Sequence, residues 1–318
     1  MDDPRATLHS LVRRNLGPAK PVKAVPAHVT AGMRPDDAFR NTLLDCLAQI
    51  TANAAALKLG RSVEGLHQLR VALRRLDVAV QAFAKEFRQP WLEELRSRGK
   101  ILSGRVGPAR DLDVFVGGLL DAVPRGAGDG MAALRRRAEA VRDDAWKAAT
   151  ACVSGPDFAL FLDDVAAIAA SRLPLGRDHR LPRTAARILD RQWKRVKKRG
   201  RAAKGRADPD EADLHRLRIA LKKLRYAAEF FAPLYPARKV KAYLKQVRAL
   251  QEHLGDLNDI ANVRHTLALV LRGGDKKNDG GMRFAAGTVA GWYGAQAADH
   301  ARQALRCYAG FKAVKPFW

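Results

Sequence analysis

The eleven residues LHQLRVALRRL at 66–76 return as LHRLRIALKKL at 214–224. The offset of 148 is close to half of the 318-residue chain, and it holds further along. Gly107 meets Gly255 and Asp111 meets Asp259 without a net gap. Over 66–83 and 214–231 half the positions are identical, with Val/Ile, Arg/Lys and Gln/Glu exchanges among the rest. Such a match marks an internal duplication. Two copies are too few for a solenoid, so the expected architecture is two helical, four-helix-type bundles related by pseudo-twofold symmetry.

Alanine, leucine and arginine dominate the chain, and alternating β-branched runs are scarce, which indicates an all-α fold. Residues 1–35 are proline-rich and lack sustained periodicity, and read as an extended arm or linker. Helical spacing begins near Asp36, with Phe39, Leu43, Leu47 and Ile50 on one side, and stops at Gly60. Ser62 is placed to cap the next helix, which carries the first motif copy. A third helix follows Pro90, and Gly107-Pro108 is expected to break it, with Asp111 starting a fourth. Helices are expected near 129–152 and 157–172, and a basic helix over 180–199. Asp208 as cap, Pro209 and Glu211 then start the helix of the second copy. The next helix is expected to break near Gly255, and RGGDKKNDGG at 272–281 reads as a loop before a last helix. The repeats are placed at 36–155 and 156–318.

On a helical wheel Leu66, Leu69, Leu73, Leu76 and Val80 gather within about a quarter of the circumference and form a core face. His67, Arg70 and Arg74 make a stripe along the border of that face, with Arg75 further round. In the second copy Leu214, Leu217, Leu221 and Leu224 make the core face, and His215, Arg218, Lys222 and Arg225 the stripe. Solvated helix faces usually alternate charge signs, because stacked like charges cost a few tenths of a kcal/mol per pair. These stripes are almost purely positive, so they are expected to line one groove or channel between the bundles. Lys241, Lys245 and Arg248 add a cationic row in the second half. Lys100 matches Arg248 in the first half, where Glu93 and Ser97 stand for the two lysines. Arg195 and Arg199 come from the basic helix, so the second half is the more cationic.

Fifty-eight Lys and Arg against 33 Asp and Glu give a formal charge of +25. Self-repulsion of that size is most simply explained by a polyanionic partner. Paired rows of Lys and Arg suit phosphates, since guanidinium binds them bidentately and lysine adds a compact charge. A His can donate to a phosphate oxygen when neutral and adds charge when protonated. A linear polyphosphate would fit a narrow channel, with affinity falling steeply as salt rises. Salt-sensitive RNA binding is the first alternative, although no aromatics interleave with the stripe. Metal binding by His67 and His215 is a weaker one, because their neighbours at i+3 are cations. No nucleophile with a base is evident, so no turnover and no cofactor are expected.

Cys46, Cys152 and Cys307 are isolated and form no CxxC pair, which argues against a disulfide framework or a zinc site. The N-terminal region contains no apolar run of the secretory kind, and no stretch is long enough to span a bilayer. The expectation is a cytoplasmic protein with no membrane partner.

The paired motif, together with GPARDLDVF, LGDLNDIANV and the closing KPFW, resembles the CHAD family, the conserved histidine α-helical domains. The resemblance covers roughly residues 36–318. It implies two helical bundles about a pseudo-twofold axis, inorganic polyphosphate held in a basic central channel, and association with polyphosphate granules. Carried over by position, His67, Arg70, Arg74 and Arg75 would line the channel from one half. His215, Arg218, Lys222, Lys223 and Arg225 would line it from the other. Asp77 departs from the pattern, since family members often have a base there and its counterpart is Arg225. Many relatives also carry a CYTH barrel with an ExExK signature, which this sequence lacks. The chain therefore reads either as a standalone module or as the C-terminal part of a CYTH–CHAD protein.

Overall fold

The computed structural model describes residues 20–87, 89–124, 128–173, 180–204, 210–272 and 280–318. Its described residues form helices and connections without strands. In order these are α1 (Pro35–Leu59), α2 (Val63–Phe87), α3 (Trp91–Val114), α4 (Gly128–Ser154), α5 (Pro156–Ala170), α6 (Leu181–Lys204), α7 (Glu211–Phe231), α8 (Ala237–Val270) and α9 (Gly280–Lys312). A π-helical turn at Phe115–Leu119 closes α3, and a 3-10 turn at Ala232–Leu234 follows α7.

The packing order repeats. Helix α1 lies on α2, α2 on α3 and α3 on α4; likewise α6 lies on α7, α7 on α8 and α8 on α9. Helix α5 packs on α1, α3 and α4, and α4 also meets α9. The leucines of both motif copies are buried as their spacing requires. One core gathers Phe39, Phe83 and Phe87 with Phe231 from α7, and Phe83 and Phe231 lie 5.6 Å apart. A second core lies around Leu217, Leu221, Tyr243 and Phe311. A third joins the far ends of α3 and α8 to α4 and α9, through Leu112, Phe115, Leu134, Ile260, Val263 and Tyr293. Tyr293 also donates its hydroxyl to the Leu119 carbonyl at 2.8 Å.

Three local expectations need correction. Helix α3 runs through Pro108 and α8 runs through Gly255, so neither motif is broken there. Pro108 gives up one backbone hydrogen bond, a cost of about 3 kcal/mol in a helix interior. Arg70 of α2 also grips this stretch, donating to the Gly107 carbonyl at 2.7 Å and to Asp111 at 2.8 Å. Asp111 is therefore an interior ion-pair partner and starts no helix. Helix α7 begins at Glu211 with Asp210 as its cap, accepting from the Ala212 amide at 3.0 Å. Asp208 and Pro209 lie outside the described residues. Helix α6 also passes the expected end at residue 199, because the Tyr308 ring of α9 occupies the space where a Cβ on Gly200 would stand.

Of the N-terminal arm, residues 20–31 run without helix beside α1. Buried Asn53 pins this strip: its amide donates to the Val22 carbonyl at 2.8 Å, and its oxygen accepts the Val22 amide at 3.0 Å. Ala27 and Val29 are buried as well. Asn53→Ala would leave the Val22 amide unpaired and its carbonyl with only Gln49 at 3.4 Å, at about 1 kcal/mol. The expected result is a large loss of hydrogen-exchange protection at Val22 and easier proteolysis within 20–31, while the helices stay protected.

Candidate anion-binding site

Helices α2 and α7 meet along a short seam of Val78, Ala79, Tyr226 and Phe230. At the repeat offset Val78 corresponds to Tyr226 and Ala82 to Phe230, so small side chains on one helix face large rings on the other. The seam fixes the flanking polar side chains of both copies beside one another. Helical spacing alone put them on two separate stripes; the seam makes them one cluster.

Arg70 and Arg74 of α2 share that cluster with Arg218, Lys222 and Arg225 of α7. Arg70 pairs with Asp111, and Arg218 donates to Asn258 at 2.8 Å. Arg225 lies 3.6 Å from Glu229, with its guanidinium 4.6 Å from the Tyr226 ring centre. Among the described residues, neither Arg74 nor Lys222 has a carboxylate within ion-pair distance. The Nε atoms of Arg218 and Arg225 are buried without a hydrogen-bond partner there. Burial and the fields of Arg74, Arg218, Arg225 and Arg70 push the Lys222 ammonium from its ordinary 10.5 down to about 6. Burial and Arg74 also lower Arg218, with Asp259 opposing.

Both motif histidines border this cluster and are pushed toward their neutral form. Burial and Arg110 lower His67 against Glu64, while burial and Arg218 lower His215 against its hydrogen bond with Asn258. Their role at neutral pH is that of uncharged hydrogen-bond groups. No three His, Cys, Asp or Glu side chains converge at metal-binding distance among the described residues.

The remaining sequence-derived residues divide. Lys223 is held down by burial and the fields of Arg96, Arg195 and Lys100, with Asp77 opposing. Burial and Arg191 lower Arg195. These residues make a second basic patch on the other flank of α7. Asp77 does not neutralise it alone, because Arg96 takes that carboxylate at 2.9 Å. Arg248 stands at 4.0 Å from Glu229, and Lys241 shares with it the wall of a hollow of about 450 Å³ beside the 3-10 turn. Arg199, Lys241 and Lys245 are exposed, and nothing in the described residues ties Arg199 or Lys245 to the central cluster.

Arg75 is a correction. It is only 6% exposed, ion-pairs with Glu229 of α7 at 3.3 Å, and lies 5.1 Å from the Phe230 ring centre. Its charge is satisfied inside the protein, where it ties the two halves together, because its position on the wheel turns toward the seam rather than the groove. Sequence reasoning missed the partners Asp111, Asn258 and Glu229. A signal was present for the first: Asp111 follows Arg70, and Asp259 follows Arg218, by the same interval. Asp259 is half-buried beside Arg218, and burial raises its carboxyl.

With this geometry in view, the CHAD domain family model matches residues 41–268. The chain belongs to the CHAD family. A crystal structure of the CHAD domain from the plant Ricinus communis superposes with a TM-score of 0.81 at 29% identity, covering 93% of this chain and 98% of the plant one. PptA from Streptomyces chartreusis superposes at 0.66 and 20% identity, covering 90% of this chain and 100% of that one, and this likeness shows the fold. A search of curated proteins gives no match.

Two outcomes follow for this CHAD domain. Between about pH 6 and 10.5 the unfolded chain binds the Lys222 proton and the folded one does not, so this residue makes stability rise with pH over that window. Lys222→Met should remove that dependence and raise Tm at pH 7 by roughly 2–4 °C, as read by calorimetry. Glu229→Gln should do the reverse, leaving buried Arg75 without its carboxylate at a cost of about 3 kcal/mol in chemical denaturation.

Proposed function

We propose that this CHAD domain binds inorganic polyphosphate across the α2–α7 groove, without turning it over. One observation carries the reading. Arg74 and Lys222 are held beside Arg70, Arg218 and Arg225 with no carboxylate of the described residues within ion-pair distance of either. A phosphate chain supplies closely spaced negative charges, several acceptor oxygens per residue and little bulk, which matches a tight row of guanidinium, ammonium and neutral imidazole groups. The exposed bases at Lys100, Lys241, Lys245, Arg248 and Arg199 extend the field outward and would steer a long chain toward the groove. Binding of this kind would place the protein on polyphosphate granules. No described helix is long and apolar enough to cross a membrane.

A single strand of RNA carries comparable charge, but its bases need stacking surfaces, and none of the cluster residues is an exposed aromatic. The deciding test is fluorescent long-chain polyphosphate titrated at physiological salt, with single-stranded RNA of equal charge as competitor. Polyphosphate should hold its place, and displacement by RNA at equal charge would reject the assignment. By analogy with single strands, five groove cations predict a slope of about −3.5 in log K against log salt. Replacing Arg74 or Lys222 should lower that slope by roughly 0.7 each. Because a bound anion restores the Lys222 ammonium, calorimetry in buffers of different ionisation enthalpy should show proton uptake on binding in the window above about pH 6. Affinity should fall as pH rises through that window.

A further inference from the structure

Beside the groove, α7, α8 and α9 enclose a cleft of about 650 Å³ whose composition differs from the cation cluster. A pocket of this size matches a drug-sized ligand and exceeds what a phosphate chain alone requires. Its walls are largely apolar: Leu254, Leu257 and Ile260 of α8 face the small side chains at Gly294, Ala297 and Ala298 of α9. An extended polyphosphate would leave that surface without partners, since it has no apolar part.

The polar groups of the cleft are sorted along α7. Glu211 lies in the first turn, His215 one turn on, and Arg218 about 10 Å from Glu211 along the axis. Asp210 and Glu211 therefore put carboxylates at one end, while Arg216 and Arg218 bring cations in further along. Arg218 belongs both to this cleft and to the central cluster, through the fields of Arg74 and Arg70. Its Nη1 is held by Asn258, and its Nε is buried without a partner among the described residues. On the α9 side, the Arg264 guanidinium rests against Gly294, its Nη2 3.5 Å from where a Cβ would stand. A planar cation at the border of a small-residue floor offers an aromatic ring a guanidinium to lie against.

We infer that this cleft binds a nucleoside polyphosphate. The base lies on the Ala297–Ala298 floor beside Arg264, and the phosphates reach past His215 to Arg218 and toward the groove. Glu211 at the far end accepts from an exocyclic amine of the base. The phosphate end rests on the anion-binding reading of Arg218; the base end is independent of it.

The test is calorimetry of the whole chain with ATP, tripolyphosphate and long-chain polyphosphate at one salt concentration. ATP should bind at least tenfold more tightly than tripolyphosphate, despite its similar charge. Ala298→Trp, at an exposed position, should fill the floor and remove that advantage while long-chain polyphosphate binding stays unchanged. Equal affinities for ATP and tripolyphosphate in the unmodified protein would overturn the inference. So would an ATP advantage that survives Ala298→Trp. If long-chain polyphosphate binds while ATP shows no advantage, the cleft inference alone fails. If none of the three binds, the groove assignment fails with it.

Discussion

The contact between α2 and α7 is the interaction on which this protein's chemistry depends. Val78 and Ala79 against Tyr226 and Phe230 bury only a small apolar area, yet they bring two like-charged helices side by side. Five cations then share one groove, and Lys222 carries the largest consequence, with its ammonium pushed down to about 6. The three larger cores supply the stability against which this repulsion is held. On the proposed reading, an anion bound here would relieve that repulsion.

The two halves contribute unequally. Asp77 in α2 stands where α7 has Arg225, and it is held by Arg96. Glu229 stands where α2 has Gln81, and it takes Arg75 of the other half at 3.3 Å, with Arg225 and Arg248 at 3.6 and 4.0 Å. One acidic residue on each side of the seam thus collects the nearest arginines and leaves Arg74 and Lys222 to the groove. Exchange of a duplicated sequence at these few positions converts two equivalent flanks into a structural one and a basic one. The cleft beside α7 extends the same asymmetry, because His215 and Arg218 border an apolar recess.

Much of the fold was legible because helical periodicity acts locally. Leu66, Leu69, Leu73 and Leu76 had to share a face, and their counterparts repeated the pattern 148 positions later. Misreadings arose where a tertiary contact overrode local preference. Pro108 and Gly255 signal a break, yet α3 and α8 continue, and Arg70 also grips the stretch at Pro108 from a neighbouring helix. Gly200 signals an end, yet it is the space needed by Tyr308. Arg75 looked like a channel residue because its motif neighbours are, but a further step round the helix turns it into the seam.

The sequence by itself determined the duplication, the all-helical class, the core faces and the cationic stripes, since charge and spacing along one helix are properties of the chain. Only the tertiary structure decided which cations meet, which are spent on Asp111, Asn258 and Glu229, and which remain for a partner. The reason is physical. Spacing along a helix says which side chains share a face, whereas the field at Lys222 comes from arginines more than a hundred residues away as well as from its own helix. Those distances exist only once α2 and α7 have packed.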